Sequence, residues 1–406
     1  MTAVPSAPAS SSASASVILN RHNTHRVLRG HCWVYVTEVE RVDGTAIAGD
    51  IVAVRDLGGR ALAWGFYNPA SKIRVRVLTR HEQAIDTAFL RARLVTAIAH
   101  REAVSPGRPA RRLVSSEADL LPGLIVDQYG DTLVVQATSA GIDRRLAEIT
   151  ALLVDLVKPA VVIERNDVGV RRLEGLPLRT GVLHGTAPGA IRVRVGRADF
   201  PCDPLDAHKT GLYLDQQTSW EQVAAFVRPG NRVLDAFCHL GGFGVHALLA
   251  GASSVIALDS AEASIAGARQ AATWAGVDAH FDARCVDAFA ELKALDTANE
   301  RFQVAVLDPP SFTRTRDAVP GALRGYKELH LRALRMLTPG GVLATFTCSH
   351  HISADAFLAT IIDAAVDAKR TIRREAVLGA SPDHPVLPAV PETEYLKGFV
   401  LRVLDG

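Results

Sequence analysis

The chain has 406 residues, of which 48% are hydrophobic and 22% charged, values that exclude a disordered or fibrous protein. Single hydrophobic cores rarely grow beyond ~250–300 residues, so two or three domains are expected. Lys plus Arg number 45 against 43 Asp plus Glu, so overall charge does not announce a nucleic-acid binder and only local charge can argue for one.

The cysteines, Cys32, Cys202, Cys238, Cys285 and Cys348, are widely spaced and form no CxxC pair. Neither a disulfide framework nor a metal site is expected, and the reduced cytoplasm is the expected location. No stretch approaches the ~20 apolar residues needed to span a bilayer, so no membrane partner is expected.

Residues 1–16 are rich in Ala, Ser and Pro and lack the basic start and apolar core of a secretory signal; they read as a disordered tail. From 17 to about 80, β-rich runs over 33–36, 50–54 and 73–78 alternate with glycine turns, predicting a small barrel. Lys72, Arg74 and Arg76 alternate along the last run, on one face where phosphates would bind. The basic run continues through Arg80, Arg91, Arg93, Arg101, Arg108, Arg111 and Arg112, and reads equally well as a solvated face. A helix is predicted over 87–103, with Phe89, Leu90, Leu94 and Ile98 as its apolar stripe. Strands over 124–126, 132–136 and 160–163, with a helix over 144–157, give an α+β section. From 231 strands and helices alternate, the pattern of a parallel sheet covered on both faces. Its strands are predicted over 232–234, 254–258, 302–307 and 341–346, and its helices over 244–250, 261–275, 325–336 and 354–368. The expected domains are 17–83, 84–200 and 201–406.

Asp235-Ala-Phe-Cys-His-Leu-Gly-Gly-Phe-Gly244 follows the first of these strands and opens a helix, which puts small residues, Gly241 among them, where backbone can approach a ligand. The turn is not the dinucleotide GxGxxG, and packing of helix against sheet would also explain it. Asp259 ends the next strand, where a carboxylate can accept bonds from both hydroxyls of a ribose. Asp287 precedes the following helix and is positioned for an adenine amine. The three carboxylates Asp235, Asp259 and Asp287 around one crevice suit a sulfonium cofactor, although each alone is more often a turn or cap residue.

Asp308-Pro-Pro-Ser-Phe312 ends the strand over 302–307. Its prolines fix a rigid turn at the carboxyl edge of the sheet, where open α/β folds bind ligands. An Asp-Pro-Pro-aromatic turn indicates a methyltransferase, because Pro309, Pro310 and Phe312 can clamp a flat nucleobase while Asp308 meets its polar edge. Thr347-Cys-Ser-His-His351 ends the neighbouring strand, so Cys348 is expected beside Asp308 as a nucleophile. The other four cysteines read as small buried hydrophobes.

These motifs together resemble the RlmI-like large-subunit ribosomal RNA cytosine-5 methyltransferases, from about Arg26 to the C-terminus. The resemblance is carried also by Gly30-His-Cys-Trp-Val-Tyr35, by 66–77, by Leu121-Pro-Gly-Leu-Ile-Val-Asp127 and by Lys209-Thr-Gly-Leu-Tyr-Leu-Asp-Gln216. Gly325-Tyr-Lys-Glu328, Asp383-His-Pro-Val-Leu-Pro388 and Glu394-Tyr-Leu-Lys-Gly398 complete it. It implies a multidomain α/β protein: an N-terminal PUA-like β-barrel, a central α+β domain and a C-terminal Rossmann-like class I methyltransferase. It implies S-adenosyl-L-methionine as cofactor and large-subunit ribosomal RNA as partner, with a homodimer as the assembly to test. Asp215, Gln216, Phe237, Asp259, Asp287 and Asp308 would line the cofactor pocket, and Cys348 would be the nucleophile. The family commonly has arginines where this chain has Gln217 and Trp220, and Tyr-Thr where it has His239 and Leu240; these departures bear on the substrate strand more than on the cofactor. Two competing readings are a guanine methyltransferase that needs no thiol and a catalytically silent RNA-binding assembly factor.

Overall fold

The computed structural model describes residues 15–206, 210–313 and 315–405. The chain forms two compact units: Met1–Gly189 with Asp203–Leu212 and Asp383–Thr393, and Ala190–Cys202 with Tyr213–Pro382 and Glu394–Gly406.

The first unit holds a six-stranded sheet in the order Trp33–Tyr35, Ile73–Thr79, Ala61–Tyr67, Ile51–Arg55, Ala15–Leu19, Val39–Gly44. Val17, Val34, Val52, Val54 and Val75 fill its core, each essentially solvent-free. Ala15 and Ser16, expected in the tail, are instead paired with Gly44 and Asp43, because burying Val17 and Leu19 requires the strand to begin before them. The rest of the expected tail, 1–14, lies outside the described residues.

The same unit carries a five-stranded sheet in the order Arg179–His184, Val161–Asn166, Thr132–Ala137, Leu124–Tyr129, Ala110–Ser115. Helices Thr87–Val104 and Leu146–Val157 bury Leu90, Leu94, Ile149 and Leu153 in a core that also takes Trp64, Phe66 and Leu78 from the first sheet.

This packing corrects the expectation that Lys72, Arg74 and Arg76 form one phosphate-binding row. Arg76 is 7% exposed and lies between Glu117 at 3.1 Å and Glu174 at 3.0 Å. A guanidinium can be buried only when its charge is paired, so its charge is already neutralised inside the protein. Arg74 turns to the carbonyls of Asn68 and Pro69, and Lys72 is exposed. Much of the wider basic run is used in the same way. Arg101 is fully buried and forks Asp119 at 2.5 and 2.8 Å, Arg111 reaches Glu102 and Gln128, and Arg112 reaches Asp127. Asp383, from the Asp-His-Pro motif, is a staple: its carboxylate accepts from the Arg112 amide at 2.8 Å and lies 2.9 Å from His384 Nδ1.

The second unit begins with the hairpin Ile191–Val195 and Ala198–Cys202, which straddles the expected boundary at 201. Its seven-stranded sheet is built from β1 Arg232–Ala236, β2 Ser254–Asp259, β3 Phe281–Cys285, β4 Phe302–Leu307, β5 Leu337–Thr347, β6 Ile372–Gly379 and β7 Lys397–Val403. The order is β3-β2-β1-β4-β5-β7-β6; β7 runs antiparallel to both neighbours and the other pairs are parallel. Strands β1, β4 and most of β5 are buried on both faces, which explains their continuous apolar runs. Because β1 leads to β2 on one side and lies beside β4 on the other, the carboxyl ends of β1, β2, β4 and β5 open on the crevice where such sheets bind ligands.

Candidate active site

The turn after β1 is tightly wound. Phe237, His239 and Gly241 have φ of 63°, 49° and 75°, so two non-glycine residues sit in the left-handed region, an arrangement that costs ~1–3 kcal/mol each and must be held by its surroundings. Asp259 does the holding: one carboxylate oxygen accepts from the His239 amide and the other from the Ala261 amide, both at 2.9 Å. Each oxygen has a second lone pair and Asp259 is partly exposed, so it can still accept from a ligand. Asp287 caps helix Ala288–Thr297, accepting from the Ala290 amide at 2.8 Å, and is exposed.

Asp235 departs from the expectation of three carboxylates around a crevice. It is fully buried, and one oxygen accepts from the Gly244 amide at 2.8 Å while the other has no hydrogen-bond partner. Burial pushes its carboxyl up to about 7, with Asp259 adding to the shift and the Gly244 bond opposing it. Asp235 therefore braces the start of helix Gly242–Leu249 from beneath instead of lining the crevice. The glycines of the turn have a similar explanation. A Cβ on Gly241 would meet Phe281 at 2.8 Å, and one on Gly242 would meet Trp220 at 2.3 Å. Packing against neighbouring rings accounts for both.

The segment Leu214–Gln216 and the following helix Gln217–Ala224 approach from the other side. Asp215 accepts from the Tyr395 hydroxyl at 2.6 Å, and Gln216 donates to Asp308 at 2.9 Å. Asp215 Oδ1, Gln216 Oε1, Thr218 Oγ1 and Ser219 Oγ are buried without a hydrogen-bond partner. Four orphaned polar atoms in five residues are costly unless a ligand or water meets them, and two of them are acceptor oxygens suited to an amino group. Gln217 and Trp220, which replace the arginines usual in the family, are both buried. Trp220 packs on Phe200, Phe243 and His246, so that position fills core here.

Strands β4 and β5 are in register with Leu307 opposite Thr345, so Asp308 and Cys348 leave the sheet on adjacent strands. Cys348 is partly exposed, as is Asp308, while Cys32, Cys202 and Cys238 are buried. Cys285, expected to be buried, is exposed at the end of β3, with its sulfur 3.6 Å from the Ser260 carbonyl. Pro309 is buried and Pro310 exposed; Phe312 is half-buried against Tyr326, ring centroids 4.6 Å apart, and against Phe289. A chain of hydroxyls lies beneath: Ser311 to Ser349 at 3.0 Å, Ser349 to Tyr326 at 3.3 Å, and Tyr326 to Thr347 at 2.8 Å.

Sequence reasoning missed three residues of this site. Tyr213 is pushed up to about 12 by burial and by the nearby Asp308, Asp215, Cys348 and Asp259, so its phenol stays protonated at neutral pH among groups from four elements. Tyr395 and Lys397 stand in the Glu394-Tyr-Leu-Lys-Gly398 motif. That motif marked them without a role, because only the antiparallel return of β7 beside β5 brings them to the site. Of the two histidines after Cys348, His350 lies with its ring 6.0 Å from that of Tyr395, and both His350 and His351 are exposed. Among the described residues no cluster of three or more His, Cys, Asp or Glu is arranged to hold a metal ion, and no helix is long and apolar enough to cross a membrane.

Two family models match the chain: a PUA-like domain over residues 17–80 and an S-adenosylmethionine-dependent methyltransferase over residues 165–397. Proteins named ribosomal RNA large subunit methyltransferase I are similar over nearly their whole length. That of Aeromonas hydrophila is 39% identical over 96% of this chain and 99% of its own, and that of Tolumonas auensis is 37% identical over 96% and 100%. Two solved structures share the fold at 17% and 18% identity, each over 96% of this chain and all of its own. One is a SAM-dependent methyltransferase from Streptococcus mutans at a TM-score of 0.81, the other a methyltransferase complexed with S-adenosylhomocysteine at 0.82. The chain therefore belongs to the S-adenosylmethionine-dependent methyltransferases, in the family of the large-subunit ribosomal RNA methyltransferase I proteins, with a PUA-like domain at its N-terminus.

Proposed function

We propose that this protein makes 5-methylcytosine in large-subunit ribosomal RNA through a covalent adduct of Cys348. The observation that carries the reading is the pairing of a partly exposed thiol with a carboxylate on adjacent strand ends, Cys348 after β5 and Asp308 after β4. The names of the full-length relatives support the substrate class, and with it a cytoplasmic location.

S-adenosylmethionine, when bound, supplies an electrophilic methyl group on a sulfonium. Asp259 would hold its ribose hydroxyls, Asp287 its adenine amine and Phe237 the adenine face. The orphaned oxygens of Asp215 and Gln216 would take its amino group. Carbon 5 of cytosine is a poor nucleophile. The Cys348 thiolate adds to carbon 6, forming a C–S bond and moving the ring electrons so that carbon 5 becomes nucleophilic. Asp308, fixed by Gln216 and carrying a proton in the complex with the base, would donate to ring nitrogen 3 and accept from the exocyclic amine, stabilising the negative charge that develops on the ring. After methylation the carbon 5 proton leaves to a base, the C5–C6 double bond re-forms and the thiolate departs. Pro309, Pro310 and Phe312 would hold the unstacked base, and the exposed Lys72 would meet an RNA phosphate.

The test is Cys348→Ser. It should retain cofactor and RNA binding and lose methyl transfer by on the order of 10⁴-fold or more, as expected when a covalent nucleophile is removed. RNA with 5-fluorocytosine at the target should trap a denaturation-resistant adduct with the parent and none with the variant. Methylguanine as product, or an active Cys348→Ser protein, overturns the reading and favours the thiol-free guanine mechanism.

A further inference from the structure

The thiol route needs the sulfur as an anion, yet a free thiol of pKa ~8.5 is only a few per cent ionised at neutral pH. Three of the titratable groups near Cys348 do not favour that anion. Tyr213, before Leu214–Gln216, and Tyr326, on helix Val319–Met336, both lie within electrostatic reach of the sulfur. Burial raises both phenols, so they stay neutral. Asp308, which acts on the same two phenols, brings negative charge from the end of β4 and works against a thiolate.

Lys397 brings positive charge from β7. It stands directly opposite Thr347 in the β5–β7 register, one residue from Cys348. Its Nζ donates to the carbonyls of Ser349 at 3.1 Å and Tyr395 at 3.2 Å, which fixes the ammonium at the strand end where Cys348 leaves the sheet. An ammonium has three donors and the two carbonyls take two of them, leaving one for a further acceptor. Burial pulls the Lys397 ammonium down, while Glu394 and Cys348 favour its charged form.

We propose that Lys397 is a positioning residue whose carbonyl-anchored ammonium holds Cys348 as its thiolate for attack on the base. The inference rests on the proposed role of Cys348 as nucleophile. The ammonium stays protonated throughout; it neither gives nor takes the proton at carbon 5. Its contribution is the charge that compensates the sulfur before attack and again when the thiolate is expelled.

The experiment measures alkylation of Cys348 by iodoacetamide against pH in the full-length protein, followed on the Cys348 peptide by mass spectrometry, beside methyl transfer to ribosomal RNA. An opposite charge at close range moves a thiol by about one unit or more. Lys397→Met should therefore raise the alkylation midpoint by ~1 pH unit, slow alkylation ~10-fold at neutral pH and shift the acid limb of kcat upward by the same amount, with KM for the cofactor unchanged. Lys397→Arg should keep the midpoint near that of the parent. A Lys397→Met midpoint equal to the parent's overturns the proposal, as does a Lys397→Arg midpoint raised as far as that of Lys397→Met, since the charge would then not be the cause. An active Cys348→Ser protein would instead remove the nucleophile assignment, an outcome that the alkylation curves do not share.

Discussion

The N-terminal sheet and the methyltransferase sheet each offer charged residues at positions where a ligand is expected, and each buries part of that set for its own use. On the strand Ile73–Thr79, Arg76 is enclosed by Glu117 and Glu174 while Lys72, just before the strand, stays exposed. At the carboxyl edge of the second sheet, Asp235 is enclosed beneath helix Gly242–Leu249 while Asp259 remains partly open. Alternation and strand position say where a side chain starts. Whether its charge serves the fold or a ligand is decided by partners distant in sequence, and substitution separates the two cases.

The largest effect is expected at Arg76. Burial pushes the Glu174 carboxyl up, but Arg76, Ser71 and Asn68 overcome this and hold it below the ordinary range. Arg76→Met leaves a carboxylate with 2% side-chain exposure without its cation, which typically costs ~3–5 kcal/mol. Peptide-resolved hydrogen exchange should show the loss in the first unit. Unchanged protection there would mean that the pair is not structural.

Next is Asp235, whose carboxyl is raised to about 7 by burial, above its ordinary value of 3.8. Between those values the folded protein binds the proton more tightly than the unfolded chain. This contribution is therefore complete at low pH and is lost as pH rises through about 7, by at most ~1.4 kcal/mol per pH unit. Asp235→Asn can still accept from the Gly244 amide and does not ionise, so in denaturant titrations of the second unit the stability of the parent relative to the variant should fall as pH rises from about 4 to about 7. A parent-to-variant difference that stays constant over that range would place the dependence elsewhere. His330 works in the opposite direction: burial lowers it to about 3, so its contribution is lost as pH falls from about 6.5.

How legible these distinctions were depends on burial. Strands β1, β2 and β4 were readable because Val233-Leu234, Val255-Ile-Ala-Leu258 and Val304-Ala-Val-Leu307 are apolar runs buried on both faces. Strand β3 was missed because Asp282 and Arg284 interrupt it, and β6 because Arg373, Arg374 and Glu375 do; both are edge strands with a solvated side. Pro339 and Gly340 concealed the start of β5. Asp308 and Cys348 were legible as residues ending strands. Tyr213, Tyr395 and Lys397 were not, because a β7 strand lying antiparallel beside β5 is a pairing that no local period encodes.

Asp259 should give a smaller but more specific effect. Asp259→Ala removes the bonds to the His239 and Ala261 amides together with the proposed ribose contacts. Hydrogen bonds to a charged group are worth roughly 1.5–3 kcal/mol each, so calorimetry should show cofactor affinity weakened by at least ~10-fold. Equal affinity would sink the assignment of Asp259 as the ribose acid and leave it as a brace for the turn, the role Asp235 has for the helix.

The smallest effect is expected at Lys72, the exposed counterpart of Arg76. Its backbone is already used, because the Lys72 carbonyl accepts from the Val36 amide at 2.8 Å, whereas its side chain is exposed. Lys72→Ala should therefore leave the fold intact, within the ~0.5 kcal/mol usual for surface changes. If the ammonium meets one RNA phosphate, its removal releases one counterion fewer on binding, and the slope of log affinity against log salt should fall by about 0.7–0.9. Affinity at a single moderate salt concentration would change only a few-fold, so the slope is the informative measurement. Arg74→Ala is the control on the same row: the carbonyls of Asn68 and Pro69 already take its guanidinium, so it should lower the slope less than Lys72→Ala does. A slope unchanged by Lys72→Ala and lowered by Arg74→Ala would reverse the assignment, showing that phosphate displaces the two carbonyls and that exposure alone did not identify the RNA-facing charge.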